Sequence, residues 1–308
     1  MWQGWRGFIP ALVIAVALFS GLANAEADWN RASFLPDISG LAWVRGDTFV
    51  AVHDAKNPEE AGLPRASLVV LPEDPEGIRW RPLELEFPGE ESNDFESSAS
   101  IPGTGFMLLV ESTEQQEAKP FSRRVFLAGP AGSDLAIMQV AQWPVVTRNI
   151  EATAVARVGG QLVFVFAERN QGKSSTDIRW AKLELDPLRF GEFRAASFTS
   201  PGATGPGARP VSALDIDSQG RVYLASAYDP GNDNGPFRSS VYRAGTVALR
   251  DGEPVVLIDA EPLRVAQLDG LKVESVAASN RPDGTGELIL GIDDENYGGT
   301  LRPVLLDD

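Results

Sequence analysis

Three glutamates open short apolar segments in the same way: Phe95-Glu96-Ser97-Ser98-Ala99, Ile150-Glu151-Ala152-Thr153-Ala154 and Val273-Glu274-Ser275-Val276-Ala277. Each segment runs to a Gly-bearing turn, and the apolar run that follows ends on further acid: Glu111, Glu168 and Asp293-Asp294. Antiparallel pairing of the two runs returns the end of the second beside the start of the first. Glu96 is therefore expected near Glu111, Glu151 near Glu168, and Glu274 near Asp293 and Asp294. A first unit, opening at Asp37-Ile-Ser39 and closing on His53-Asp54, and a fourth, opening at Val211-Ser212 and closing on Tyr228-Asp229, follow the same plan with serine for glutamate. Two carboxylates ~6 Å apart repel by roughly 3 kcal/mol at an effective dielectric near 20. A ring of them needs protons, arginines or a cation to persist. The bases in reach, Arg148, Arg169, Lys173 and Lys272, look too few to neutralise them all. A hard, oxygen-seeking ion such as calcium is the economical partner, with Glu96, Glu151, Glu168, Glu274 and Asp293 as its candidate ligands. Asp37, His53, Asp54, Glu111, Arg148, Arg169, Asp229 and Asp294 then form the surrounding candidate ligand-binding rim. The plain alternative is that these acids solvate the rim or pair with those bases.

Other chemistries are excluded or weak. The chain has no cysteine, which rules out disulfides and thiolate metal sites, and one histidine, which rules out multi-histidine sites. His53 beside Asp54 has no nucleophile to complete a relay, so a hydrogen-bonding role is expected. Neither a Gly-x-Ser-x-Gly elbow nor a phosphate-cradling glycine loop is present. Asp229-Pro-Gly-Asn-Asp-Asn-Gly235 has the composition of a calcium loop, but Pro230 breaks the alternate-ligand rule and a turn is expected. Ser200–Pro210, rich in glycine and proline, reads as a spacer.

The elements that must position these acids are short strands. Apolar runs alternate with Gly, Pro, Asn and Asp turns throughout, and helical periodicity is almost absent. Aligned on Ser39, Glu96, Glu151, Ser212 and Glu274, the units repeat at spacings of 57, 55, 61 and 62 residues. Four-stranded propeller blades take about 40 to 50 residues, so these are blades with generous loops. Ser67–Leu71, Arg123–Ala128, Ile178–Leu185 and Ser239–Ala244 supply further strands. The fold expected is all-β, a single propeller of five blades, or six if one blade has lost the signature. The segment Trp29–Phe34 is expected to complete the last blade and close the ring. The opening residues of all units then meet on one rim of the central funnel, with the glycine turns on the opposite face.

Residues 1–25 read as a secretory signal: one charge at Arg6, an apolar stretch from Phe8 to Phe19, and Ala23-Asn24-Ala25 before the cleavage point. Residues 26–308 are then one propeller domain, periplasmic or secreted and not inserted in a membrane. The formal net charge is −16. That argues against nucleic acid and anionic lipid surfaces as partners, and is compatible with cations, a neutral small molecule or an envelope protein. A monomer is expected.

The recurring Ile/Phe-Glu-x-x-Ala opening, followed by a strand ending in an acid, resembles the phytase-like propellers, whose opening is typically Glu-Gly-Ile/Leu-Ala. Ser39-Gly40-Leu41-Ala42 keeps the last three positions of that motif. The resemblance covers most of residues 26–308 through short, degenerate motifs. It implies a propeller fold and either calcium-dependent phosphate-ester hydrolysis or an exported protein of no assigned activity. The motif's glycine is missing from the three glutamate-bearing units, and no Lys/Arg phosphate cluster can be matched. The leading expectation is an exported propeller binding a ligand or partner on an acidic, calcium-bearing rim. The alternatives are a metal-dependent hydrolase of phosphate esters, esters or lactones, with a cation activating water, and an envelope interaction module.

Overall fold

The structure is a computed structural model describing residues 30–32, 35–54, 62–71, 77–92, 94–112, 123–280, 286–293 and 298–306. The expected signal segment, the Pro282–Gly284 turn and Asp294 lie outside the described residues. The described residues form strands and turns, and none of them forms a helix long and apolar enough to cross a membrane.

The strands form five sheets arranged as the blades of a ring. The innermost strands are β2 (Gly40–Arg45), β6 (Phe95–Ser100), β10 (Ile150–Val158), β15 (Ala208–Ile216) and β19 (Val273–Asn280). Each pairs antiparallel with the next strand in sequence: β3 (Thr48–Val52), β7 (Met107–Glu111), β11 (Gln161–Glu168), β16 (Arg221–Tyr228) and β20 (Gly286–Asp293). The third strands are β4 (Ala66–Val70), β8 (Arg124–Ala131), β12 (Ser175–Leu185), β17 (Arg238–Arg250) and β21 (Gly299–Leu305). The inner strands neighbour one another around the axis, and β19 meets β2 to complete the circle.

The long apolar runs follow from this ring. Each blade is covered on both faces, so both alternating sets of side chains on a strand must be apolar. In β3, Val50 and Val52 pack with Met107, Leu109 and Phe126 of the second blade, while Phe49 and Ala51 pack with Ala277 and Ile289 of the fifth. The other three gaps between blades are filled alike: Leu108 and Val110 against Phe164 and Phe166, Val163 and Val165 against Leu224 and Tyr242, Tyr223 and Val241 against Leu288 and Leu290. The core is thus five apolar layers between blades, with the axis left to polar groups. Gly40, kept in the first unit's motif, has a packing reason. A Cβ there would lie 2.7 Å from the Ser98 amide nitrogen, where the first and second inner strands approach.

Closure differs from expectation. β1 (Asn30–Ala32) pairs with β5 (Ile78–Pro82), the outer strand of the first blade, and covers that blade's edge rather than completing the last. Among the described residues the last blade has three strands. The N-terminal segment meets it at Leu35, which exchanges two backbone hydrogen bonds with Gly299 at 2.6 and 2.7 Å. The ring is held by the β19–β2 neighbourhood and the apolar layer containing Leu35, Ile38, Ala277 and Leu301.

Candidate functional site

The signature glutamates share one backbone feature. The β6/β7 register shifts between Phe95 and Ser97, the β10/β11 register between Ile150 and Ala152, and the β19/β20 register between Val273 and Ser275. Glu96, Glu151 and Glu274 are therefore each the extra residue of a β-bulge, which re-aims the side chain away from the ladder. All three are buried, at 7, 2 and 7% exposure, and close enough that Glu96 and Glu274 both act electrostatically on Glu151. The three glutamates of blades two, three and five are thus buried neighbours.

In the fourth blade the bulge is longer, with the register shifting between Arg209 and Ala213. Ser212 consequently does not reach Tyr228 and Asp229, as the alignment predicted. Its hydroxyl donates to the Val273 carbonyl at 2.7 Å, and Arg209 takes the place beside Asp229.

Arg209 is the residue that sequence reasoning missed. Its Nη1 lies 2.6 Å from Glu274 and its Nη2 2.5 Å from Asp229. Lys272 Nζ stands 3.4 Å from Glu274 and 2.6 Å from Asp293, and Arg169 Nε 2.7 Å from Glu151. Glu111 accepts from Arg124 Nη2 at 2.6 Å and from the Arg124 backbone amide at 2.8 Å. Glu168 accepts from the backbone amide of Arg148, whose side chain is exposed, and has Arg179 at 3.8 Å. The expected shortage of bases is thus corrected: four of the five acids assigned to the cation, Glu151, Glu168, Glu274 and Asp293, have named cationic partners.

Burial first, then Glu96 and Glu274, push the Glu151 carboxyl up to about 7, against the opposing pull of Arg169 and Arg209. Burial alone would also raise Glu274, but Arg209, Lys272 and Arg169 outweigh it and hold that carboxyl below its ordinary value. Neighbouring carboxylates at one axis are therefore driven apart.

On the side of the first two blades the arrangement is different. Asp54 and Asp94 pair as an isolated antiparallel bridge, and each of Asp54, Asp94 and Glu96 offers a carboxylate oxygen within 4.8 Å of the others. Among the described residues this is the group that could hold a metal ion. Only Glu96 and Asp54 of this trio stood out in the sequence, and Asp94 was visible there simply as the first residue of a strand. Behind it His53 is fully buried, its Nδ1 donating to the Asp37 carbonyl at 2.7 Å and its Nε2 accepting from the Ser67 hydroxyl at 2.9 Å. Burial pulls the ring down to about 4, so it stays neutral and beyond the reach of a ligand. The Asp229 loop is a turn, as expected: Asp229 Oδ1 accepts from Gly231 N at 2.7 Å and Asn232 Oδ1 from Asn234 N at 3.1 Å. The Ser200–Pro210 loop is tied down by the Gly172 amide, which donates to Ala208 O at 2.7 Å.

No family model matches the sequence, and no curated protein matches it. Solved structures do match by shape. The endo-arabinase from Bacteroides thetaiotaomicron aligns with a TM-score of 0.52 and 11% identity, over 90% of this chain and 96% of that one. The alpha-L-arabinanase of Cellvibrio cellulosa, complexed with arabinohexaose, gives 0.51 and 12%, over 89 and 93%. The exo-beta-1,3-galactanase of Clostridium thermocellum gives 0.52 and 10%, over 91 and 63%. At such identities the likeness is one of fold, and the class defined is a five-bladed β-propeller with a charged axis. None of these comparisons supports the phytase-like resemblance.

Proposed function

We propose that the protein is an exported propeller that binds a ligand or protein partner at the acidic end of its axis, with calcium held between the first two blades. The observation that carries this reading is the Asp54–Asp94–Glu96 cluster. Oxygens up to 4.8 Å apart have the spacing of two ligands that each lie ~2.4 Å from a shared calcium ion. Two ionised carboxylates at that separation repel by roughly 3 kcal/mol at an effective dielectric near 20, and a cation placed between such a pair replaces that repulsion with attraction. The described bases of the axis, Arg169, Arg209 and Lys272, are each engaged by carboxylates. That favours ligand or partner binding over phosphate-ester hydrolysis, which needs bases open to phosphate. Thermal unfolding of the chain without its signal, in chelator and in millimolar calcium, is the test. A midpoint that rises with calcium supports the reading. Identical midpoints, with no heat in a calcium titration, would leave the cluster as a structural feature.

The opposed shifts of Glu151 and Glu274 favour a second reading, hydrolysis of a glycosidic bond. A protonated carboxyl and an ionised one side by side are the parts of an acid/base pair. Arabinan, the polymer implied by the names of the arabinanases that share the fold, is the first substrate to try. Release of reducing sugar that is lost in Glu151→Gln would establish the activity, and no release would end this reading.

A further inference from the structure

Glu151, Glu274, Asp229 and Asp293 are answered by cations, but on the inner strand of the fourth blade a half-buried carboxylate is not. Asp215, near the end of β15, accepts from its neighbour's amide, Ile216 N, at 2.8 Å through Oδ1. Through Oδ2 it accepts from Ala278 N of β19 at 2.7 Å. The second bond crosses from the fourth blade to the fifth. No lysine, arginine or histidine forms an ion pair with it among the described residues. The charge that acts on it is of its own sign: Asp217, two residues on, which is itself paired with Arg221 at 2.5 Å and accepts from the Tyr223 hydroxyl at 3.3 Å. Beyond those stand Arg243 on β17, which acts on Tyr223, and Glu287 on β20, opposite Ser279. A half-buried carboxylate set between two inner strands, with like charge nearby and no countercharge, is costly to keep ionised, and its two backbone donors offset only part of that cost.

We propose that Asp215 is a proton-sensitive joint between the fourth and fifth blades: ionised, it holds the amides of Ile216 and Ala278, and a proton taken from solution relieves its uncompensated charge and releases one of them. The joint is independent of any ligand at the acidic end of the axis. Burial, the largest influence, pushes this carboxyl up to about 7, and the two amide bonds only partly oppose it. Because the folded form then holds the proton more tightly than the unfolded chain, the stability this group confers is full at low pH and lost as pH rises from about 4 towards 7.

The test uses the chain without its signal, carrying 13C-labelled aspartate carboxyls and titrated from pH 4 to 9. One aspartate signal is expected to titrate above pH 6 and to be missing from Asp215→Asn. In urea, the unfolding constant of the wild type is expected to rise at least tenfold more between pH 5 and 8 than that of the Asn variant. Aspartates that all titrate below pH 5 would overturn the proposal, as would an equal rise in a folded Asp215→Asn protein. Should the variant fail to fold, the wild-type titration decides alone.

Discussion

Where blades three, four and five meet the axis, Glu151, Glu274, Asp229 and Asp293 each touch a guanidinium or ammonium group within 2.7 Å. Where blades one and two meet it, Asp54, Asp94 and Glu96 crowd within 4.8 Å of one another. Both halves are built the same way, with acids at strand ends and glutamates lifted out of the ladder by bulges. They differ in which residues the neighbouring loops contribute. In the fourth blade the signature position is serine and the extended bulge brings in Arg209, a base that two blades' acids share. The first blade has serine at the same place, but the aspartate that follows its second strand meets a further aspartate from the next blade. One half is a closed ionic lattice, which fixes the blades. The other gathers three carboxylate side chains from two blades within 4.8 Å of one another, the spacing on which the proposed cation site rests.

The largest effect should come from opening the lattice. Arg209→Met removes a guanidinium shared by two buried carboxylates, leaving Glu274 with Lys272 and Asp229 without its named cation, and breaking a buried pair in this way costs about 3–5 kcal/mol. Urea unfolding of the variant is expected to show that loss. A loss under 1 kcal/mol would mean that Lys272 and solvent, not Arg209, neutralise Glu274 and Asp229.

How much of this was legible follows from particular residues. The blades were readable because Leu162–Ala167 and its counterparts are apolar at every position, which only strands covered on both faces require. The turn at Gly159-Gly160 was equally plain, since both residues have positive φ, at 54 and 80°. Asn30–Ala32 is too short and polar to announce which sheet it joins. Bulges leave no mark in composition, yet they decide where each glutamate points. Arg209 precedes the signature serine by three residues across Pro210, outside the repeat that guided the alignment. Its importance appears only when the strand is folded.

The next effect is one of pH and compares the two halves through their buried groups. His53, behind the crowded half, is held neutral, so its contribution is present above its ordinary value of 6.5 and lost as pH falls towards about 4. Glu151, in the lattice half, is raised, so its contribution is present below about 4.5 and lost as pH rises towards about 7. Between those limits the two slopes oppose each other. In His53→Gln, which keeps a group able to meet Ser67, the destabilisation on going from pH 6.5 to 4.5 should shrink by up to about 3 kcal/mol. Stability curves of equal shape in variant and wild type would show that His53 is not buried as described.

The smallest effect should come from a pair outside both halves. Lys182 and Glu253, 2.8 Å apart and each 45% exposed, join β12 of the third blade to the outermost strand, Glu253–Asp269, of the fourth. Replacing either is expected to cost no more than about 1 kcal/mol, since such exposed pairs are largely screened. A loss as great as that of Arg209→Met would erase the distinction between axis and surface on which the comparison rests.

The most direct test of the crowded half is a calorimetric titration of calcium into the chain without its signal, run beside Glu96→Gln and Lys182→Met. Binding is predicted with one site per chain, at about 10⁻⁴ to 10⁻³ M or tighter. It should weaken at least tenfold in Glu96→Gln and be unchanged in Lys182→Met. No heat in the wild type, or the same affinity in Glu96→Gln, would contradict the assignment of the cation to Asp54, Asp94 and Glu96.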